Sequence, residues 1–316
     1  MTSIRVLCIL SCLPLLGTLA PVAIAQPNQN GAPSAPPPFT PPPPDPRVQV
    51  RTYEFAETHE QIPYALYVST KVRKDQQAPL IVALHGLCGT HTSLLRGNAL
   101  DLAEAGGYII VGPMGYNPRG WYGTPVIQRP PGSSGPAAAR ASQAAASASP
   151  AQAQAGASAT PPRPRPGSCG QRDDPPNLRE LSEKDVLNVL DMMYKQFNID
   201  HRRTYLMGHS MGGAGTFHIA EKYPSEWAAI AAIAPAAFAM QPASIATIPN
   251  MPVMIVHGDK DTAVPVTLSR SWVEVMKEHN MTYEYLEIPG GDHGSVISTG
   301  MPNIFAFFAA HSSKAN

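Results

Sequence analysis

An excess of either charge is the first thing this sequence lacks. Lysine plus arginine and aspartate plus glutamate each number 23 in 316 residues, so the formal net charge is zero. A neutral chain carries no electrostatic footprint for nucleic acid or for an acidic membrane surface. Cysteine is also scarce. Of the four, Cys8 and Cys12 fall in an N-terminal apolar stretch, which leaves Cys88 and Cys169. No C-x-x-C or His-x-x-x-His pattern offers a metal site, and no cofactor is expected. The apolar stretch itself, Val6 to Leu19, is too short for a membrane span. Proline, in contrast, is abundant: 35 residues are too many for a uniform fold and point to segments outside any core.

Those segments can be placed. Arg5, the apolar stretch and Ala23-Ile24-Ala25 form the three parts of an export signal, with residues 1–25 removed and Gln26 left first. A lipoprotein signal ending at Cys12 and an uncleaved anchor are the rival readings. The expectation is a secreted or periplasmic bacterial chain with no stable membrane span after cleavage. In that compartment Cys88 and Cys169 are a candidate disulfide; two unpaired thiols are the alternative. Residues 26–46, with Pro36 to Pro38 and Pro41 to Pro44, read as an extended linker. Residues 133–168 are almost entirely Ala, Ser, Pro, Gln and Gly, and lack large apolar side chains. With little burial to offset the ordering entropy, they read as a disordered insertion in a catalytic domain spanning 47–316. Both a lid and a surface extension remain open for it.

Between these segments the pattern alternates. Val48 to Phe55 and Ile62 to Ser69 alternate apolar and polar, as in an antiparallel pair. Leu80 to Leu84 and Tyr108 to Val111 are continuous apolar runs, as in strands buried on both faces. The intervening stretch, His91 to Ala105, is expected to be helical, as are Leu178 to Phe197 and Val266 to Asn280. Thr204 to Met207, Trp227 to Ile233, Met251 to Val256 and Tyr283 to Ile288 are further strands, and Ile304 to Ala310 belongs to a closing helix. The fold class is α/β: a mostly parallel central sheet with helices on both faces and antiparallel strands at its N-terminal edge.

The chemistry concentrates after the strands. Gly208-His209-Ser210-Met211-Gly212 reads G-x-S-x-G between an apolar strand and a helix, the context in which this motif marks a serine nucleophile. Acyl transfer by serine also needs a base, an acid that orients the base, and two N–H donors for the oxyanion. His293, in the loop after the last strand, is the candidate base. Asp261, after the Met251–Val256 strand, is the candidate acid, and spacing alone leaves Asp259 open. The backbone N–H of Met211 and that of Leu87 are the candidate oxyanion donors, with Cys88 second to Leu87. His85 is expected to brace that loop. Trp121 and Tyr122, in a loop with Tyr116 and Arg119 after the Tyr108–Val111 strand, are candidate substrate-binding residues; local packing is the alternative.

Four blocks carry a family resemblance: Leu84-His85-Gly86, Gly208 to Gly213, His257-Gly258-Asp259-Lys260-Asp261 with Val264-Pro265, and Asp292-His293-Gly294. Together they resemble the signatures of the α/β-hydrolase superfamily. The nearest likeness is to secreted esterases of the polyhydroxybutyrate depolymerase, feruloyl esterase and dienelactone hydrolase type. The order Ser210, Asp261, His293 is that superfamily's order. The resemblance implies the acid at the second aspartate of the His257 block, Asp261, and the nucleophile and base at Ser210 and His293. Dienelactone hydrolases proper use cysteine, so serine here argues against that activity. The implied function is hydrolysis of a small-molecule or polymeric carboxylic ester through an acyl-enzyme. A prolyl-oligopeptidase-like peptidase and a non-catalytic binding protein of the same fold are the competing readings.

Overall fold

A computed structural model describes residues 43–125, 169 and 174–312, all within one unit, Thr40–Asn316. The expected export signal, nearly all of the expected linker and the whole of the expected insertion at 133–168 lie outside the described residues.

The architecture follows from the apolar runs. Strands β1 (Gln49–Phe55), β2 (Glu60–Val68), β3 (Ala78–Leu84), β4 (Ile109–Pro113), β5 (Ile199–His209), β6 (Ala229–Ile233), β7 (Val253–Gly258) and β8 (Tyr283–Ile288) form one sheet. Their spatial order is β1-β2-β4-β3-β5-β6-β7-β8. The β1–β2 and β2–β4 pairs are antiparallel and every later pair is parallel. The helices are α1 (Asn98–Gly106), α2 (Leu178–Gln196), α3 (Met211–Lys222), α4 (Val266–Glu278) and α5 (Ser295–Ala310).

Every residue of β3 is buried, and the pleat sends alternate side chains to opposite layers. Leu80, Val82 and Leu84 join Val186, Phe217 and Trp272, from α2, α3 and α4. Ile81 and Ala83 join Leu100, Phe305 and Phe308, from α1 and α5. Stacked rings seal each layer: Phe217 on Trp272 at 4.1 Å and Tyr205 on Phe308 at 4.6 Å. Each large apolar side chain so buried contributes roughly 1.5–3 kcal/mol.

One expected boundary shifts. Helix α1 begins at Asn98, not His91, because Gly97 adopts φ 55° and ψ −136°, outside helical space. Turns closed by Ser93 N–H to the Thr90 carbonyl and Leu95 N–H to the Thr92 carbonyl occupy the stretch before it. Parallel β3, β5, β7 and β8 all end on the same edge of the sheet, where ligands of α/β sheets bind.

Candidate active site

Ser210 sits between β5 and α3 in a conformation that L-residues seldom adopt, φ 57° and ψ −115°. Its backbone is tied on both sides. The N–H donates to the Ile233 carbonyl at 2.9 Å, and the carbonyl accepts from Ala236 at 2.9 Å and Ala214 at 3.1 Å. Gly212 makes the elbow possible: a Cβ there would come within 2.2 Å of the Leu84 carbonyl oxygen.

The elbow points the hydroxyl at His293. Ser210 Oγ lies 2.9 Å from His293 Nε2, and His293 Nδ1 lies 2.6 Å from Asp261 Oδ2. With Nδ1–H donating to the carboxylate, Nε2 is left to accept the serine proton. The Asp261 side chain has no exposure, while His293 is 26% exposed. Burial alone would raise the Asp261 carboxyl. The Val264 N–H, the His293 ring and the Ala263 N–H together outweigh burial and hold it below its ordinary value. Asp259, left open by spacing, faces elsewhere: its Oδ1 accepts the Gly290 N–H at 2.7 Å and so pins the loop that carries His293.

A second histidine, His257, backs the carboxylate. It is fully buried; its Nε2–H faces the Val264 carbonyl at 3.0 Å and Asp261 Oδ2 at 3.2 Å, and its Nδ1 accepts from Ser269 Oγ at 2.6 Å. Burial pushes this ring below its ordinary value, so it stays neutral.

The candidate oxyanion donors meet the same cleft, which Leu87, Ser210 and Met211 all line. Met211 opens α3, and the first N–H groups of a helix have no intrahelical acceptor. Among the described residues the Leu87 N–H has no acceptor either, whereas the Cys88 N–H donates to the Pro118 carbonyl at 3.0 Å. Cys88 is therefore turned away. It holds φ 63° in a turn closed by Gly89 N–H to the Gly86 carbonyl at 2.8 Å. A disulfide joins it to Cys169, with Cα atoms 5.2 Å apart. His85 is buried behind this turn, its Nε2 2.8 Å from the Met114 carbonyl.

The cleft has a volume of about 870 Å³. Its other walls are Trp121, Pro125, Ala236, Phe238, Ala239, Thr262, Ala263, Val264, Pro265 and His293, so among the described residues no Lys, Arg, Asp or Glu lines it. Leu87 and Phe238 are 47% and 44% exposed. Of the two residues expected to bind substrate, only Trp121 is here. Tyr122 is a correction: its ring is fully buried, and its hydroxyl donates to the His85 carbonyl at 3.3 Å. Trp121 and Tyr122 have φ 58° and 49°, which turns the chain sharply between cleft and core. Tyr116 and Arg119 also serve structure, binding Glu60 and Asp174.

Sequence reasoning missed His209, His257, Phe238 and the alanine walls. The two histidines had a visible signal, since each sits inside a quoted motif. Phe238 had none, because the loop after β6 has no pattern of its own.

A family model described as PET hydrolase-like matches residues 178–311. That stretch holds Ser210, Asp261 and His293 but not the Leu87 loop. A bifunctional acetylxylan esterase/xylanase of Neocallimastix patriciarum is 40% identical over 77 residues, 24% of this chain and 11% of that protein. Among solved structures, a thermostable esterase is similar with a TM-score of 0.54 at 23% identity, over 84% of this chain and 64% of that one. A CE1 ferulic acid esterase from Anaeromyces mucronatus gives 0.55 at 17% identity, over 83% and 91%. The chain thus spans about a tenth of the curated relative and less than two thirds of the thermostable esterase. At these identities the structural likeness establishes the fold.

Proposed function

We propose that this chain is an exported serine hydrolase of the α/β-hydrolase superfamily that cleaves neutral carboxylic esters. The unbroken Ser210–His293–Asp261 hydrogen-bond chain at the mouth of an apolar cleft carries the reading. His293 Nε2 takes the proton of Ser210 Oγ as the oxygen attacks the ester carbonyl carbon. The resulting oxyanion accepts from the N–H groups of Leu87 and Met211. His293 then returns the proton to the departing alkoxide, leaving an acyl group on Ser210. A water deprotonated by the same ring hydrolyses it. Asp261 stays ionised throughout, fixing the ring's tautomer and stabilising the imidazolium.

The cleft walls favour an uncharged acyl group, because a charged one would lose water there without a partner. The similar proteins are named for acetylated xylan, ferulic acid esters and PET, and a carboxylic ester is what these substrates share. Export is supported by the N-terminal signal pattern and by a disulfide that suits an oxidising compartment.

The test is a panel of p-nitrophenyl esters of rising acyl length beside peptide p-nitroanilides, with fluorophosphonate labelling of the wild type and Ser210→Ala. Ester turnover and labelling should both vanish in Ser210→Ala. Persistent labelling in that variant, or turnover of anilides above esters, would overturn the reading.

A further inference from the structure

Nothing in acyl transfer asks for histidine between Gly208 and Ser210, yet His209 stands there. Its ring is part-buried and lies 4.6 Å from the ring of His293, centroid to centroid. Its Nε2 lies 2.7 Å from the main-chain carbonyl oxygen of His293. A carbonyl can only accept, so Nε2 carries the ring proton and Nδ1 is bare. Space for the bare side comes from Gly86, where a Cβ would approach Nδ1 to 3.1 Å. Burial first, and then the neighbouring His293, push the His209 ring down to about 4, so it is neutral at neutral pH.

The bond joins the two halves of the proton relay by a short path. Ser210 is covalently next to His209, and the His209 ring grips the backbone of the base itself. The rest of that loop is held at its flanks, by Asp259 on the Gly290 N–H and by Asp292 Oδ1 on the N–H groups of Gly294 and Ser295. Neither contact reaches His293. We propose that His209 is a positioning residue, which fixes the His293 imidazole over the Ser210 hydroxyl by donating Nε2–H to the His293 carbonyl. The proposal rests on the hydrolase reading of Ser210 and His293.

Its test compares His209→Leu with His209→Gln in the full chain. A displacement of about 1 Å in a reacting group costs on the order of 10²-fold. His209→Leu should therefore lower kcat and the fluorophosphonate labelling rate together by about 10- to 100-fold, with KM little changed. His209→Gln sets an amide N–H near the old Nε2 and should recover most of the loss. Nitrogen NMR of the wild type at pH 7 should show the Nε2–H tautomer for His209. A leucine variant with wild-type kcat, a glutamine variant no better than leucine, or an Nδ1–H tautomer would each overturn the proposal. Should the leucine variant not fold, the nitrogen spectrum and the glutamine variant decide. A wild type inert to esters and probe would instead overturn the hydrolase reading, and the spectrum would still judge the tether.

Discussion

Asp261 and His257 meet at the same carboxylate oxygen that receives His293: Oδ2 is 3.2 Å from His257 Nε2 and 2.6 Å from His293 Nδ1. The other oxygen accepts from the N–H groups of Ala263 and Val264, both at 2.8 Å. The carboxylate is thus held by four partners, and His257 alone among them lies away from the cleft that Ala263, Val264 and His293 line. Asp261→Asn should keep this geometry but present an amide that favours the wrong tautomer. We expect kcat to fall by about 10⁴-fold, the loss typical of this substitution in serine triads. Steady-state kinetics on a p-nitrophenyl ester, beside a thermal melt near that of wild type, check it. A loss below tenfold would refute the role.

His257→Leu removes one donor from a buried carboxylate. A hydrogen bond to a charged group contributes about 1.5–3 kcal/mol, so this variant should be less stable by that order. Urea denaturation at pH 7 measures it. An unchanged midpoint would mean that the 3.2 Å contact does not matter energetically.

The Cys88–Cys169 bridge closes a sequence separation of 81 residues, and its first cysteine is the neighbour of Leu87. Replacing both cysteines with serine should cost about 2–4 kcal/mol through the freed unfolded chain. Turnover should also fall, because the turn that presents the Leu87 N–H loses its covalent hold. Melting curves and kcat with and without reductant test both parts. Equal kcat in the two states would show that the Cys88–Pro118 hydrogen bond alone is enough.

Trp121 and Tyr122 should separate cleanly under alanine substitution. Trp121→Ala opens a cleft wall and should raise KM with little effect on stability. Tyr122→Ala empties a fully buried site and should cost about 3–5 kcal/mol. If Trp121→Ala left KM unchanged for every ester in the panel, the cleft would not be the acyl or alcohol site.

Acid should destabilise the fold above the range where most carboxylates titrate. Burial pushes His85, His91, His209 and His257 below their ordinary 6.5, the second and third to about 4. The unfolded imidazoles bind protons near 6.5 while the folded ones do not. This stabilisation is complete above that pH and is lost as pH falls toward the lowered folded values, which for His91 and His209 means toward about 4. Asp185 acts in the opposite sense: burial raises it to about 6, so its folded form gains a proton before its unfolded form does. Glu221, also raised by burial, acts in the same direction. The four imidazoles, together with carboxylates held low in the fold such as Glu183, Asp200 and Asp261, act against these two and predict a lower urea midpoint at pH 4.5 than at pH 7. A flat or rising midpoint would contradict this.

How much was legible follows from the range of each signal. Strands β3, β4 and β6 announced themselves because a strand buried on both faces has no charged positions to interrupt it. The candidate nucleophile, acid and base sit in Gly-rich loops whose local chemistry is unusual. What the sequence did not display depends on distance. The antiparallel pairing of β2 with β4 joins segments that are far apart in the chain. The divergence of Trp121 from Tyr122 depends on two consecutive positive φ values with no glycine to mark them. The start of α1 turned on Gly97, a residue that a helical periodicity reads through.

The family-matched stretch begins at residue 178, while Leu87 and its turn come from well before it. The candidate site is therefore assembled from two stretches of polypeptide, and the sulfur bridge ties the turn beside Leu87 to Cys169, which precedes the second stretch. A protease cut anywhere between positions 125 and 169 would leave Cys88 on one fragment and Cys169 on the other. Such a nicked molecule would travel as a single particle and come apart only when denatured with reductant.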